Sequence, residues 1–111
     1  MTFLYLNSDQ MGTGDPALGG KLLGMFLAEL AKSEVPVDLI GCVNDGIRLT
    51  TEGSAVLDSL RALEARGARI ATCGTCLDHL GVRDRLRIGE VGNMAMTVQV
   101  MATADRVLRP C

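Results

Sequence analysis

Short apolar runs alternate along this chain with longer stretches in which apolar residues recur every three to four positions. Phe3-Leu4-Tyr5-Leu6 is the first run and reads as a buried strand. It ends at Asn7-Ser8-Asp9, and a loop holding Gly12, Gly14 and Pro16 follows. Residues from Ala17 to Lys32 predict a helix, with Leu18, Leu22, Met25, Phe26 and Leu30 on one face of a 3.6-residue period. Pro36 to Val43 predicts a second strand, and Asn44-Asp45-Gly46 a turn. Ser54 is expected to cap a helix running to Arg66, with Leu57, Leu60 and Leu63 on its buried side and Gly67 as its stop. Ala68 to Thr72 predicts a third strand, and Cys76 to Leu80 a single helical turn closed by Gly81. A short strand is expected from Leu86 to Ile88. Asn93 is expected to cap a last helix with Met94, Val98 and Met101 on one face, and Asp105 to Leu108 predicts a final strand.

Strands that alternate with amphipathic helices predict an α/β layered domain with a mostly parallel sheet. Residues 1–111 are expected to form one domain, since no linker, repeat or low-complexity stretch divides them. Ligands and chemistry gather at the carboxyl ends of such strands. Three of those ends carry polar or reactive residues here, namely Asn7-Ser8-Asp9, Asn44-Asp45 and Cys73 to Cys76, and the fold places them on one edge.

Composition narrows the function classes. Aromatic residues make up only 3% of the chain, so the core must be aliphatic, with its six methionines as gap-fillers. Hydrophobic residues reach 48%, an excess for so small a domain that points to apolar surface buried between subunits, hence a homo-oligomer. A net charge of −2 and the lack of an aromatic platform argue against nucleic-acid binding. No apolar run approaches the roughly 20 residues that span a membrane, and no charged leader precedes the first strand, so a cytoplasmic protein is expected. The four cysteines lie among regular elements rather than in a loop-rich scaffold, which favours reduced, chemically active thiols over a disulfide framework.

Cys73-Gly74-Thr75-Cys76 is the segment richest in chemistry. Two thiols this close, after a strand and before a helical turn, can form a disulfide, share a metal or pass a sulfur atom between them. A thiol at such a junction meets free backbone N–H groups that favour the nucleophilic thiolate. Cys73 would attack, and Cys76 would resolve a mixed disulfide or accept the sulfur. The bland alternative is two small buried apolar residues. His79, the only histidine, follows Cys76 by three positions and shares its helical face, where its charge would favour a thiolate; a partly exposed helix residue is the plain reading. Cys73, Cys76, His79 and Cys42 could be counted as zinc ligands, but structural zinc sites show two regularly spaced ligand pairs, and no metal or other cofactor is expected. Cys42, inside a strand, reads as core, and Cys111 as a frayed end.

Gly12-Thr13-Gly14-Asp15-Pro16-Ala17 fits G-x-G-x-x-A between a strand and a helix. Pro16 and the long approach from Asn7 do not suit the tight dinucleotide turn, and Lys21 is misplaced for a Walker loop. A glycine-rich turn is the simpler reading. A third is a cradle, formed with Asn7, Ser8 and Asp9, whose N–H groups hold a small oxyanion or a persulfide.

These segments together resemble the DsrE-like family of small sulfur-relay proteins, and within it the YedF-like C-terminal domains linked to selenium metabolism. The matching pieces are Asn7 to Asp15 with Leu18-Gly19, Asn44 to Thr50, Glu52 to Leu57, Cys73 to Asp78, and Gly89 to Met94. The resemblance implies a three-layer α/β/α fold with five parallel strands and an oligomer, a trimer or hexamer. It implies a persulfide carried on Cys73, whose spacing to Gly81-Val82 fits the relay cysteine, with Cys76 as helper; Asn44, Asp78 and His79 are candidate modulators beside them. Partners would be sulfur-donor and sulfur-acceptor proteins, among them a TusA-like carrier; the TusA-like domain that precedes YedF-like domains has no counterpart in this sequence. Two rival functions remain from the residues alone: a dithiol–disulfide oxidoreductase using the same pair, and a non-enzymatic oligomeric module that binds a small ligand at the glycine loop.

Overall fold

The computed structural model describes residues 1–111. Five strands, β1 (Thr2–Leu6), β2 (Leu39–Cys42), β3 (Arg69–Cys73), β4 (Glu90–Gly92) and β5 (Arg106–Leu108), form one sheet in the order β4-β3-β2-β1-β5. Every pairing is parallel. Four α-helices connect them: α1 (Pro16–Lys32), α2 (Leu57–Ala65), α3 (Gly74–His79) and α4 (Met94–Thr103). No helix is long and apolar enough to cross a membrane.

The strands are apolar on both faces because both are covered, as parallel sheets require. Leu4, Leu6, Ile40, Cys42 and Ile70 face α1 and α2 and join Leu23, Leu27, Leu30, Leu60 and Leu63 in the larger core. Phe3, Leu39 and Ala71 project from the other face against Met96 and Val100 of α4. The result is a three-layer α/β/α arrangement: the pattern predicts the α/β layering and the parallel sheet, and the family resemblance the three layers. Gly41 keeps that second face close-packed, since a Cβ there would lie 2.9 Å from the Phe3 ring.

On two helices the buried side differs from the one periodicity predicts, although Leu30 of α1 is buried and Phe26 packs against the core as expected. On α1 the buried stripe is Gly19, Leu23, Leu27 and Leu30, whereas Leu18 and Met25 are more than half exposed and Leu22 lies at the surface. The helix is apolar nearly all round, so a second stripe competes with the true one. The true one is chosen by Gly19, which lies so close to the preceding loop that a Cβ would come within 2.8 Å of the Gln10 side chain. On α4, Met94, Val98 and Met101 point outward, and Met96 and Val100 meet the sheet.

Other boundaries also moved. The region from Leu86 to Ile88 makes only one antiparallel bridge, Leu86 to Thr51, and the edge strand lies at Glu90–Gly92. Helix α2 begins at Leu57, not after Ser54, whose hydroxyl instead accepts from the Val56 N–H at 3.2 Å in a local turn. The second strand is shorter than the apolar run, and Asn44-Asp45-Gly46 opens a 3-10 helix, Asn44–Leu49, rather than a simple turn. Asn93 caps α4 as expected, its side chain accepting from the Met96 N–H at 2.8 Å.

The 3-10 segment is seated by glycine. A Cβ on Gly46 would stand 2.1 Å from the Leu6 carbonyl oxygen. Gly46→Ala must therefore displace the segment or the end of β1, and we expect a loss of about 1–3 kcal/mol or more in urea unfolding. Leu27→Ala, in the fully buried stripe, should cost about 2–5 kcal/mol. Leu18→Ala, on the outer stripe, should stay within about 0.5 kcal/mol in dilute monomeric protein. A larger effect at Leu18 than at Leu27 would overturn the facing of α1.

Candidate functional site

Because the sheet is parallel, the ends of β1, β2 and β3 bring Asn7-Ser8-Asp9, Asn44 and Cys73 to one edge. Cys73 is the last residue of β3 and the cap of α3. Two positions beyond Ala71, it projects on the α4 side of the sheet and is only 7% exposed. There it lines a small cavity of about 10 Å³ with Phe3, Leu39, Ala71, Gly92, Asn93 and Met96 among its walls. That is the space of roughly one water molecule.

Cys76 lies within α3 and is half-buried. The backbone N–H of Asn44 donates to its Sγ at 3.2 Å. Asn44 is the single non-glycine residue with a positive φ, 51°, a conformation that asparagine adopts more readily than most residues. That backbone turn aims the N–H at the sulfur. Burial pushes the Cys76 thiol pKa upward and the adjacent Cys73 thiol adds to the rise, while the Asn44 N–H opposes both. The rise disfavours a thiolate on Cys76. All four cysteines are free thiols.

A buried hydroxyl pair ties the two parts of the site together. Thr72, directly before Cys73, and Thr50, directly after the 3-10 segment, share a hydrogen bond of 2.8 Å, and both are fully buried. The Thr50 hydroxyl also lies 3.2 Å from the Ile47 carbonyl. The segment that carries Asn44 is thus anchored to the strand that carries Cys73.

The other residues singled out by sequence divide. Asp78 holds Arg83 in a bidentate pair, 2.6 and 2.9 Å, which keeps its carboxyl below the usual carboxylate range. The same guanidinium reaches toward the Gly74 carbonyl at 3.5 Å. Asp78 therefore acts on α3 through Arg83, which lies across a turn and which periodicity does not reveal. His79 is exposed in the last turn of α3, and its side chain makes no hydrogen bond to the rest of the chain. Asn93 and Met96, on the wall of the Cys73 cavity, were legible only as a cap and as a helix residue.

The glycine loop stands apart from the thiols. Ser8 Oγ accepts from the Gln10 N–H at 3.1 Å, and the Met11 N–H donates to the Gly19 carbonyl at 2.9 Å, folding the loop onto α1. Gly12 and Gly14 are exposed with open space around them. The Asp15 carboxylate caps α1 by accepting from the Ala17 N–H, and Pro16 follows it, so a negative charge already stands at this helix start. Asp9 lines a different cleft with Arg48, Glu52 and Arg85, which shares no residue with the Cys73 cavity.

Cys42 is 1% exposed on the α1–α2 face, and burial pushes its pKa up to about 12, with Cys111 nearby adding to the rise. Its side chain joins the larger core while the residue also borders the Cys73 cavity, and Cys42, Cys73, Cys76 and His79 do not come together as a ligand set. Cys111 is packed against the larger core, with its Sγ 3.8 Å from the Ser8 carbonyl, rather than frayed.

No protein-family model matches the sequence, and no curated protein does. Solved structures do match. A protein of unknown function from Methanobacterium thermoautotrophicum, MTH1491, superposes with a TM-score of 0.72 over 98% of this chain and 97% of its own, at 18% identity. The YchN protein of E. coli superposes with a TM-score of 0.69 over 97% of both chains, at 22% identity. The chain shares its fold with both. At these identities the likeness concerns the fold, and the chemistry has to be argued from the residues themselves.

The Cys73 thiol raises the Cys76 pKa, so removing it should do the reverse. In Cys73→Ala, the pH midpoint for alkylation of Cys76 by iodoacetamide, followed by peptide mapping, should move to lower pH. An unchanged midpoint would mean that the two thiols do not act on each other.

Proposed function

We propose that this protein is a sulfur-relay subunit of the DsrE-like kind, which carries a sulfane sulfur as a persulfide on Cys73 with Cys76 as its helper. The observation that carries this reading is the position of Cys73: at the carboxyl end of a parallel strand, nearly buried, beside a cavity with room for about one more atom, with a second thiol next to it. A persulfide needs a thiolate that can be reached by a donor and then a place shielded from water and stray thiols. The apolar walls formed by Phe3, Leu39, Ala71 and Met96 suit that second need. The fold shared with YchN agrees with the family resemblance of the sequence motifs.

The partners are protein donors and acceptors of sulfur, a TusA-like carrier among them, and the YedF-like motifs extend the reading to selenium as the alternative chalcogen. The outward stripes of α1 (Leu18, Leu22, Met25) and α4 (Met94, Val98, Met101) are apolar surface of the kind subunits cover, which supports a homo-oligomer, a trimer or hexamer by the resemblance. Work in the cytoplasm suits reduced thiols.

The pair could instead cycle as a dithiol and disulfide, and one measurement separates the two. Intact-mass spectrometry after incubation with a cysteine desulfurase and cysteine should show a gain of one sulfur atom, mapped to Cys73 and absent from the Cys73→Ser/Cys76→Ser double variant. No gain, with a loss of two hydrogen atoms to a mild oxidant as the Cys73–Cys76 disulfide forms, would favour the oxidoreductase instead.

A further inference from the structure

The persulfide reading leaves a physical difficulty: the carrier thiol is the less accessible of the two. Cys73 is 7% exposed and faces its one-atom cavity, whereas Cys76 stands partly open at the surface of α3. We propose that sulfur arrives on Cys76 and is handed inward to Cys73, with the Asn44 backbone N–H holding Cys76 as the leaving group. The proposal rests on the persulfide-carrier reading and gives it an order.

In the first step the Cys76 thiolate attacks the terminal sulfur of a persulfide or polysulfide donor. A Cys76 S–S bond forms, the donor's S–S bond breaks, and the donor leaves as a thiolate or a shortened polysulfide. In the second step the Cys73 thiolate attacks the outer sulfur of the Cys76 persulfide. The new bond joins that sulfur to Cys73, the bond to Cys76 breaks, and Cys76 departs as a thiolate. The proton that Cys73 gave up balances the one that Cys76 regains. The sulfane sulfur keeps its oxidation state throughout, so no oxidant or reductant is consumed.

Three features fit this order. The leaving thiolate is accepted by an N–H already 3.2 Å from Cys76 Sγ. That N–H opposes the upward push of burial on the Cys76 thiol, so Cys76 leaves more readily than burial alone would allow. That N–H is aimed by a left-handed residue, φ 51°, on a segment anchored to β3 through Thr50 and Thr72, so its position is fixed relative to Cys73. The cavity at Cys73, about 10 Å³, admits one more atom and little else, which suits storage rather than docking of a donor. Asn44 is a positioning residue in this scheme, and its backbone rather than its side chain does the work.

The test uses inorganic polysulfide as donor and the full chain in three forms: wild type, Cys73→Ser and Cys76→Ser, each quenched over time and peptide-mapped. The expected result is a sulfur that appears first on Cys76 and then on Cys73 in wild type. Cys73→Ser should load at least as fast as wild type, because the thiol that disfavours the Cys76 thiolate is gone, and should retain the sulfur on Cys76. Cys76→Ser should load Cys73 slower by about tenfold or more, the effect of losing the accessible nucleophile. If Cys76→Ser loads Cys73 as fast as wild type, Cys73 receives sulfur directly and the order proposed here is wrong. If wild type gains no sulfur at all, the carrier reading itself fails, which is a different outcome from a failure of the order. Asn44→Val, which disfavours φ 51°, should leave more of the sulfur on Cys76, and Asn44→Gly, which adopts it freely, should restore the hand-off. Equal partition in both variants would remove Asn44 from the mechanism.

Discussion

The site depends on one close approach. Gly46 sits against the Leu6 carbonyl where no side chain fits, and Val43 donates its N–H to that same carbonyl at 3.0 Å. This contact folds the chain sharply over the end of β1 as it leaves β2. It places the Asn44–Leu49 segment across the carboxyl edge of the sheet rather than letting it run on into solvent. Everything chemical then follows from where that segment lies. Asn44 reaches Cys76 from it, and Thr50 at its far end bonds Thr72 one residue before Cys73. Burial of two hydroxyls is tolerable because each satisfies the other.

Around this edge the two thiols occupy different environments though they are one helical turn apart. The pleat of β3 sends Cys73 under α4, and the turn of α3 leaves Cys76 nearer the surface. Proximity makes them chemically dependent, since charge on one opposes charge on the other. Two interacting thiols with unequal access form an asymmetric pair, and asymmetry is what gives a transfer a direction. The Arg83–Asp78 pair beside them is exposed, so its role is to hold the start of α3 rather than to add much stability.

The sequence spoke clearly about some of this and was silent on the rest. Alternating short apolar runs and helical periods were enough for a parallel α/β sheet, and the cysteine motif was visibly placed at a strand end. The facing of α1 and α4 was not legible, because both helices carry apolar residues on more than one side: Leu22 and Leu23 are adjacent, yet one is at the surface and the other buried. Periodicity reports that a stripe exists; which stripe meets the sheet is set by packing partners distant in sequence. The outward stripes are consistent with the apolar excess that composition had already shown. Likewise the Leu86–Ile88 run is apolar enough for a strand but is held apart from the sheet, while the glycine-flanked Glu90–Gly92 pairs with β3. Gly89 permits that switch, with a φ of 77° and no room for a Cβ against the Ile70 carbonyl.

Local chemistry alone therefore determined most of the element types, their order and the position of Cys73-Gly74-Thr75-Cys76 at a strand-to-helix junction, because each depends on residues near one another along the chain; the 3-10 segment and the edge strand at Glu90–Gly92 were not among them. Only the tertiary structure decided which thiol is buried and which is open. It also decided that Asn44, 32 residues away in sequence, supplies the N–H at Cys76, and that Cys42 stands behind the sheet while Cys111 is packed. These are relations between segments, and they are set by the register of parallel strands and the close approach at Gly46, neither of which leaves a signature in local sequence.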